Sequence, residues 1–167
     1  VDNSPEHISE ISISQRKNEF EDRGIKLCYL HNSQNSLTSA RNLGGKLVTG
    51  DIALFLDDDV ILDVKYIHEI CRVYETNPNA FGVQGYIQPG DRGKLDRFHR
   101  FFFWFHLERN KCRVLHSVSA TYPLDLDGII PCEWLSGANH SYRRTILDEF
   151  EYDEVLLTYS EGEDLEY

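Results

Sequence analysis

The chain has 167 residues, 41% of them hydrophobic, and a net charge of −11, which suits one domain with a sizeable core. So acidic a chain lacks the basic footprint of a nucleic-acid binder, and nucleic acid is not expected as a partner. No run approaches the ~18 apolar residues of a membrane span, and no signal peptide is visible.

The charge is unevenly spread. Nine acids and no Lys or Arg follow Arg144, while Arg92 to Arg113 holds seven basic residues against two acids. Cys28, Cys71, Cys112 and Cys132 have no metal-type spacing, which predicts reduced core thiols in a cytosolic protein. The chain contains no Met and opens on Val1-Asp2, which reads like the tail of a strand. It stops in what reads as an acidic helix start, so a fragment truncated at both ends is expected.

The predicted elements alternate along the first half. Pro5 followed by Ile8, Ile11 and Phe20 predicts a helix ended by Gly24. Ile25 to Leu30 reads as a strand. Ser36 suits the cap of a helix from Leu37 to about Thr49, with Gly50 as its stop. Asp51 to Leu56 reads as a strand buried on both faces. Asp63 suits the cap of a helix through Tyr66, Ile67, Ile70, Val73 and Tyr74, which ends before Asn77-Pro78. Ala80 to Ile87 is a further strand. Strand and helix in this order imply parallel strands with right-handed crossovers.

The second half is less regular. It holds an aromatic segment (Phe98 to Phe105), a Pro/Asp/Gly loop (Pro123 to Pro131), an apolar stretch to Trp134 and a helix near Tyr142 to Phe150.

The strongest chemical signal is Ile52-Ala53-Leu54-Phe55-Leu56-Asp57-Asp58-Asp59, an apolar strand running straight into three carboxylates. Open α/β sheets bind ligands at the carboxyl ends of their strands. Adjacent like charges repel, so such a cluster calls for a cation or a held proton. An extended backbone points Asp57 and Asp59 to one side, where one or both can engage a single Mg2+ or Mn2+. The plainer reading is a solvated acidic loop.

Glu161-Gly162-Glu163-Asp164 is a second acidic group; taken alone, the dipole of a helix start is the plainer and preferred explanation, and Asp164 acting as general base the functional one. Trp134, before the small-residue turn at Gly137-Ala138, suits a sugar platform or the core. Arg41 suits a phosphate or base contact, or a helix surface.

Together these pieces resemble the family 2 glycosyltransferases of the GT-A fold. The resemblance rests on Asp2 with Ser4, Ala40-Arg41-Asn42, Gly50-Asp51 leading to Asp57-Asp58-Asp59, Gly137-Ala138-Asn139 with Arg143-Arg144, and Gly162-Glu163-Asp164, in that order. It implies an α/β, Rossmann-type open sheet, mainly parallel, with helices on both faces. It implies a single domain over residues 1–167, with a nucleotide-sugar-binding half at 1–90 and an acceptor-binding half at 91–167.

The resemblance also assigns roles. Asp2 matches the acid that contacts the nucleotide base, and Arg41 the arginine that reaches the nucleotide. Asp57 and Asp59 match the outer members of the metal motif, with Asp59 the direct ligand and Asp58 nearer the ribose or sugar. Asp164 matches the base that activates the acceptor, with Glu163 beside it, and Trp134 and Gly137 fall where donor sugar or acceptor is held. Asn3 stands where a second acid is common, and His140 where Met is common. The implied activity is metal-dependent, inverting transfer of a sugar from a nucleotide-diphosphate sugar to the hydroxyl of a saccharide or lipid-linked acceptor. It is expected in the cytoplasm or at the cytoplasmic face of the membrane.

Residues 97–106 carry six aromatics among basic residues. They read as a core helix or as a peripheral contact with anionic headgroups. Two rival functions remain at this level. Leu54 to Val60 also fits the first motif of haloacid-dehalogenase-like phosphatases, with Asp57 as nucleophile and Asp59 as acid/base. That family needs a later strand ending in paired acids and a phosphate-binding Lys, yet no Lys follows Lys111. The other rival is a domain that binds nucleotide-sugar without turnover.

Overall fold

The computed structural model describes residues 1–4, 8–88, 111–114, 120–123 and 126–155. Among the described residues the elements run, in chain order, α1 (Ile8–Glu21), α2 (Leu37–Lys46), β1 (Ile52–Leu54), α3 (Tyr66–Thr76), β2 (Gly82–Gln84), β3 (His140–Arg143) and α4 (Arg144–Glu149). The three strands form one sheet in the order β1-β3-β2.

That order departs from the expected mainly parallel sheet. Phe55 N donates to His140 O at 2.8 Å, Asp57 N to Ala138 O at 3.0 Å and Arg144 N to Asp51 O at 2.9 Å. As one strand number rises the other falls, so β3 runs antiparallel to β1. The expectation assumed a helical crossover before each strand, whereas β3 follows the Gly137-Ala138-Asn139 turn. A parallel pairing does occur between Asp2 and His31, as an isolated bridge.

The chain divides into two compact units, Val1–Ala53 with Tyr142–Tyr167, and Leu54–Ser141. In the first, α1 is largely exposed, with Ile11 at the surface. Its described support is local, from Lys17–Glu21 at 3.8 Å, with Arg23–Glu19 at 3.2 Å just past its end. Gly24 follows with φ 72, a backbone that favours glycine. The predicted strand from Ile25 to Leu30 does not form. Asp2 N donates to Leu30 O and Asn32 N to Asp2 O, both at 2.8 Å, which makes one bridge and no ladder.

Ser36 caps α2 as expected, its Oγ accepting from Ser39 N at 3.3 Å. The helix stops at Lys46, short of the predicted Thr49. Gly44-Gly45 weakens propagation, and Leu47 N and Val48 N close three-residue turns onto Gly44 O and Gly45 O. α4 packs on α2.

In the second unit, Asp63 shapes the entry to α3 without capping it. Its Oδ1 accepts from Lys65 N at 2.8 Å and its carbonyl from Tyr66 N at 3.0 Å. The helix ends at Thr76, before Asn77-Pro78 as expected, and packs on β2 by burying Ile70 and Tyr74. The run leading to the acids is less buried than expected. Ala53 is buried, Ile52 and Leu54 are half-buried and Leu56 is exposed.

β3 was hidden in the predicted helix near Tyr142 because its residues are polar, yet His140 and Ser141 are the most buried large side chains of the sheet. Ser141 Oγ donates to Val83 O at 2.7 Å, and Tyr74 hydroxyl donates to Ser141 O at 2.9 Å. Buried polar groups persist where such bonds replace water.

One close approach in this unit makes a test. Gly85 lies so near the Tyr66 ring that an added Cβ would collide with it. The Tyr66 hydroxyl accepts from Gly85 N at 3.3 Å and donates to Asn139 O at 2.9 Å. Gly85→Ala is expected to cost about 2 kcal/mol by overpacking. In a thermal-melt double-mutant cycle, that cost should vanish when Tyr66 is already Ala; a cost that persists would contradict this packing.

Candidate functional site

Asp57, Asp58 and Asp59 follow β1 as an exposed turn. Asp57 is fixed at its backbone by the bond from its N to Ala138 O. The Gly137-Ala138-Asn139 turn therefore lies against the start of the acidic triplet. Behind it, His140 stacks on Phe55 with ring centroids 5.1 Å apart and 23° between planes. His140 Nδ1 lies 3.0 Å from Ser136 O, so the imidazole ties this turn to the strand that carries the acids. Gly137 is buried, and Asn139 donates to Gly85 O at 3.2 Å. Among the described residues Asn139 Oδ1 is buried with no hydrogen-bond partner.

Trp134 is half-buried beside the same turn. Its indole N donates to Thr121 O at 3.0 Å, and its ring meets Tyr122 edge-on at 6.1 Å. The polar edge of the indole is consumed inside the unit, so any ligand contact would use the ring itself. Tyr122 hydroxyl accepts from Ile87 N at 2.8 Å and Gln84 Nε2 at 3.1 Å, and burial pushes its phenol pKa up. Gln84 Oε1 in turn accepts from Ser136 N.

The remaining candidates lie in the other unit. Both oxygens of Asp2 are engaged: Oδ1 accepts from Ser4 N and Oδ2 from the Tyr29 hydroxyl, each at 2.9 Å. Burial, then the bond to Asp2, pushes the Tyr29 phenol up to about 12. Asn3, the departure from a second acid, serves structure by accepting from Asn32 Nδ2 at 3.0 Å.

Arg41 is no surface arginine. It is 7% exposed, with its guanidinium carbon 5.4 Å from the centre of the Tyr152 ring. Its neighbour Asn42 grips the same residue. Asn42 Nδ2 donates to Tyr152 O and Glu154 Oε1, and its Oδ1 accepts from Tyr152 N, all at 2.9 Å. Nothing in the sequence reveals the Asn42–Tyr152 clamp or the Tyr66 contacts, and His140 stands out there only as a departure from Met. The only signal for Asn42 was its place in Ala40-Arg41-Asn42.

Glu163 and Asp164 lie outside the described residues, as does the aromatic segment 97–106. Among the described residues, no three His, Cys, Asp or Glu side chains gather as a ready metal cage. The donor set still fits a hard cation such as Mg2+. That ion is commonly held by one or two carboxylates with waters and substrate phosphates, and Asp57 and Asp59 supply oxygen donors at an exposed turn. Among the described residues no helix is long and apolar enough to cross a membrane.

No solved structure matches the chain. A glucosyl-dolichyl phosphate glucuronosyltransferase of Haloferax volcanii is 27% identical over 89 residues, 53% of this chain and 28% of that protein. The matched region thus spans under a third of that relative. The family model for glycosyl transferase family 2 matches residues 1–149, which include the acidic turn, Arg41 and the Gly137 turn. This chain belongs to glycosyl transferase family 2.

Proposed function

We propose that the chain transfers a sugar from a nucleotide-diphosphate sugar to an acceptor hydroxyl, with inversion at the anomeric carbon. The observation that carries this reading is the exposed acidic turn hydrogen-bonded through Asp57 N to the Gly137-Ala138 turn. Carboxylates for a metal-bound diphosphate and a turn beside Trp134 for a sugar are then neighbours in one unit. A GT-A architecture over a single domain accompanies the reading. So does a division into a donor half at 1–90 and an acceptor half at 91–167.

The residues would act as follows. Asp59, with Asp57, would hold Mg2+ or Mn2+, which supplies Lewis-acid stabilisation of charge on the diphosphate. Asp58 serves the ribose or sugar. Arg41 places a fixed positive charge toward the nucleotide, and its stacking on Tyr152 limits its freedom before substrate arrives. Asp2, held by its bonds to Ser4 N and the Tyr29 hydroxyl, contacts the base. Trp134 and Gly137 bound the space for sugar or acceptor. Asp164, flanked by Glu163, takes the proton from the acceptor hydroxyl as its oxygen attacks from the face opposite the diphosphate.

The Haloferax relative, a glucosyl-dolichyl phosphate glucuronosyltransferase, is named for a glucuronosyl donor and a lipid-linked acceptor. We extend both to this chain, with work at the cytoplasmic face of a membrane and contact through residues 97–106. Calorimetry with UDP-, GDP- and dTDP-sugars tests the site. Binding should require Mn2+ and weaken at least roughly tenfold in Asp59→Ala. Binding indifferent to both would overturn the reading.

A further inference from the structure

Cys112 and Cys132 are partners in an isolated parallel bridge, and neither is in a disulfide. Glu133 N donates to Cys112 O at 3.0 Å, which holds the two backbones in register. Bridge partners on neighbouring strands sit about 4.8 Å apart with side chains on one side. A disulfide accepts Cα separations of roughly 4.4–6.8 Å. The Cys112 thiol donates to Trp134 O at 3.5 Å, the carbonyl two residues beyond Cys132. Cys112 is buried, while Cys132 is exposed to solvent. All four cysteines are free as expected, but of the expected core positions only Cys112 is buried; Cys71 is half-buried, and Cys28 and Cys132 are exposed.

We propose that Cys112 and Cys132 form a reversible redox site, in which Cys132 meets a two-electron oxidant such as glutathione disulfide and Cys112 resolves it. The Cys132 thiolate attacks one sulfur of glutathione disulfide, forming a mixed disulfide and releasing glutathione thiolate, which takes up a proton. Cys112 then loses its proton to solvent, and its sulfur attacks that of Cys132. The second glutathione leaves as thiolate and is protonated in its turn. Two protein thiols are oxidised to one disulfide, and one glutathione disulfide is reduced to two glutathiones.

Electrostatics assign the same order. The adjacent Cys112 thiol lowers Cys132 to about 7, while the adjacent Cys132 thiol, followed by burial, raises Cys112. Attack by Cys132 therefore quickens as pH rises toward 7.

The link would fall beside the Trp134 platform. Cys112 Sγ lies 3.5 Å from Trp134 O, and Thr121, which accepts from the Trp134 indole, is bonded to Arg113 at 2.8 Å. A disulfide would tie residues 111–114 covalently to the segment that carries Glu133 and Trp134. The inference does not depend on sugar transfer, because its test reads covalent state.

The test incubates the chain in glutathione buffers of graded ratio, blocks free thiols by alkylation and maps disulfides by mass spectrometry. The expected product is a Cys112–Cys132 link that glutathione reverses. In Cys112→Ser, the glutathione adduct on Cys132 should persist; in Cys132→Ser, Cys112 should stay unmodified. Alkylation of Cys132 at pH 7 should run roughly threefold faster than that of an unstructured cysteine peptide. A persistent glutathione adduct on Cys132 in the unsubstituted chain would overturn the proposal. So would a first adduct on the other exposed thiol, Cys28.

Discussion

Asp164→Asn should lose sugar transfer by roughly 10²–10⁴-fold while donor binding is retained. The substitution keeps the size of the side chain and removes the carboxylate that we propose accepts the acceptor's proton. On the same proposal donor affinity rests on Asp57, Asp59 and Arg41, so it should not follow. Transfer rates measured beside nucleotide-sugar titrations separate the two effects. Retained transfer would remove Asp164 from the base role, and parallel loss of binding would make it a structural residue. Glu163→Gln is a useful companion. If Glu163 contacts acceptor as proposed, its substitution should raise KM for acceptor more than it lowers kcat.

The second large effect concerns stability. Asn42→Ala removes three hydrogen bonds that the Asn42 side chain makes to Tyr152 and Glu154. Tyr152 is itself buried, so its amide and carbonyl would be left without these partners. Each such group costs about 1–3 kcal/mol, so a loss of about 3 kcal/mol is expected, with Tm lower by about 9 °C for a chain of this size. Asn42→Asp should do worse than neutral loss. It keeps the acceptor for Tyr152 N but sets a carboxylate against Glu154. Melting curves that match the unsubstituted chain would show that the clamp carries no stability. Because Arg41 stacks on Tyr152, the Asn42 variants should also weaken nucleotide binding where they still fold.

Local features were legible from the residues alone. Ser36 announced α2 because a hydroxyl one residue before the helix can take an amide of the first turn. Asn77-Pro78 marked the end of α3 because proline restricts the residue before it. The acidic turn stood out because three carboxylates directly follow an apolar run. What escaped depends on partners far along the chain. β3 carries polar residues whose bonds come from Tyr74 and Val83, and periodicity cannot register those partners. The Asn42–Tyr152 clamp joins positions 110 apart. Cys112 and Cys132 looked unrelated because their spacing matches no motif, and only the bridge brings them together. The strand predicted at Ile25 to Leu30 had the composition of a strand, but pairing is limited to the one bridge at Asp2.

The acidic triplet keeps its central place, but its neighbours alter its meaning. Alone it would also serve a phosphatase. Family membership over residues 1–149 and the Gly137 turn held against Asp57 favour the donor-diphosphate reading. The most direct measurement is a proton-NMR time course with UDP-glucuronate, UDP-glucose and GDP-mannose, each with Mn2+ and a dolichyl-phosphate glucoside acceptor. The account predicts nucleoside diphosphate release in step with a new glycoside of inverted anomeric configuration, absent in Asp164→Asn. Release of inorganic phosphate from a phosphomonoester, lost in Asp57→Asn and without any glycoside formed, would contradict it.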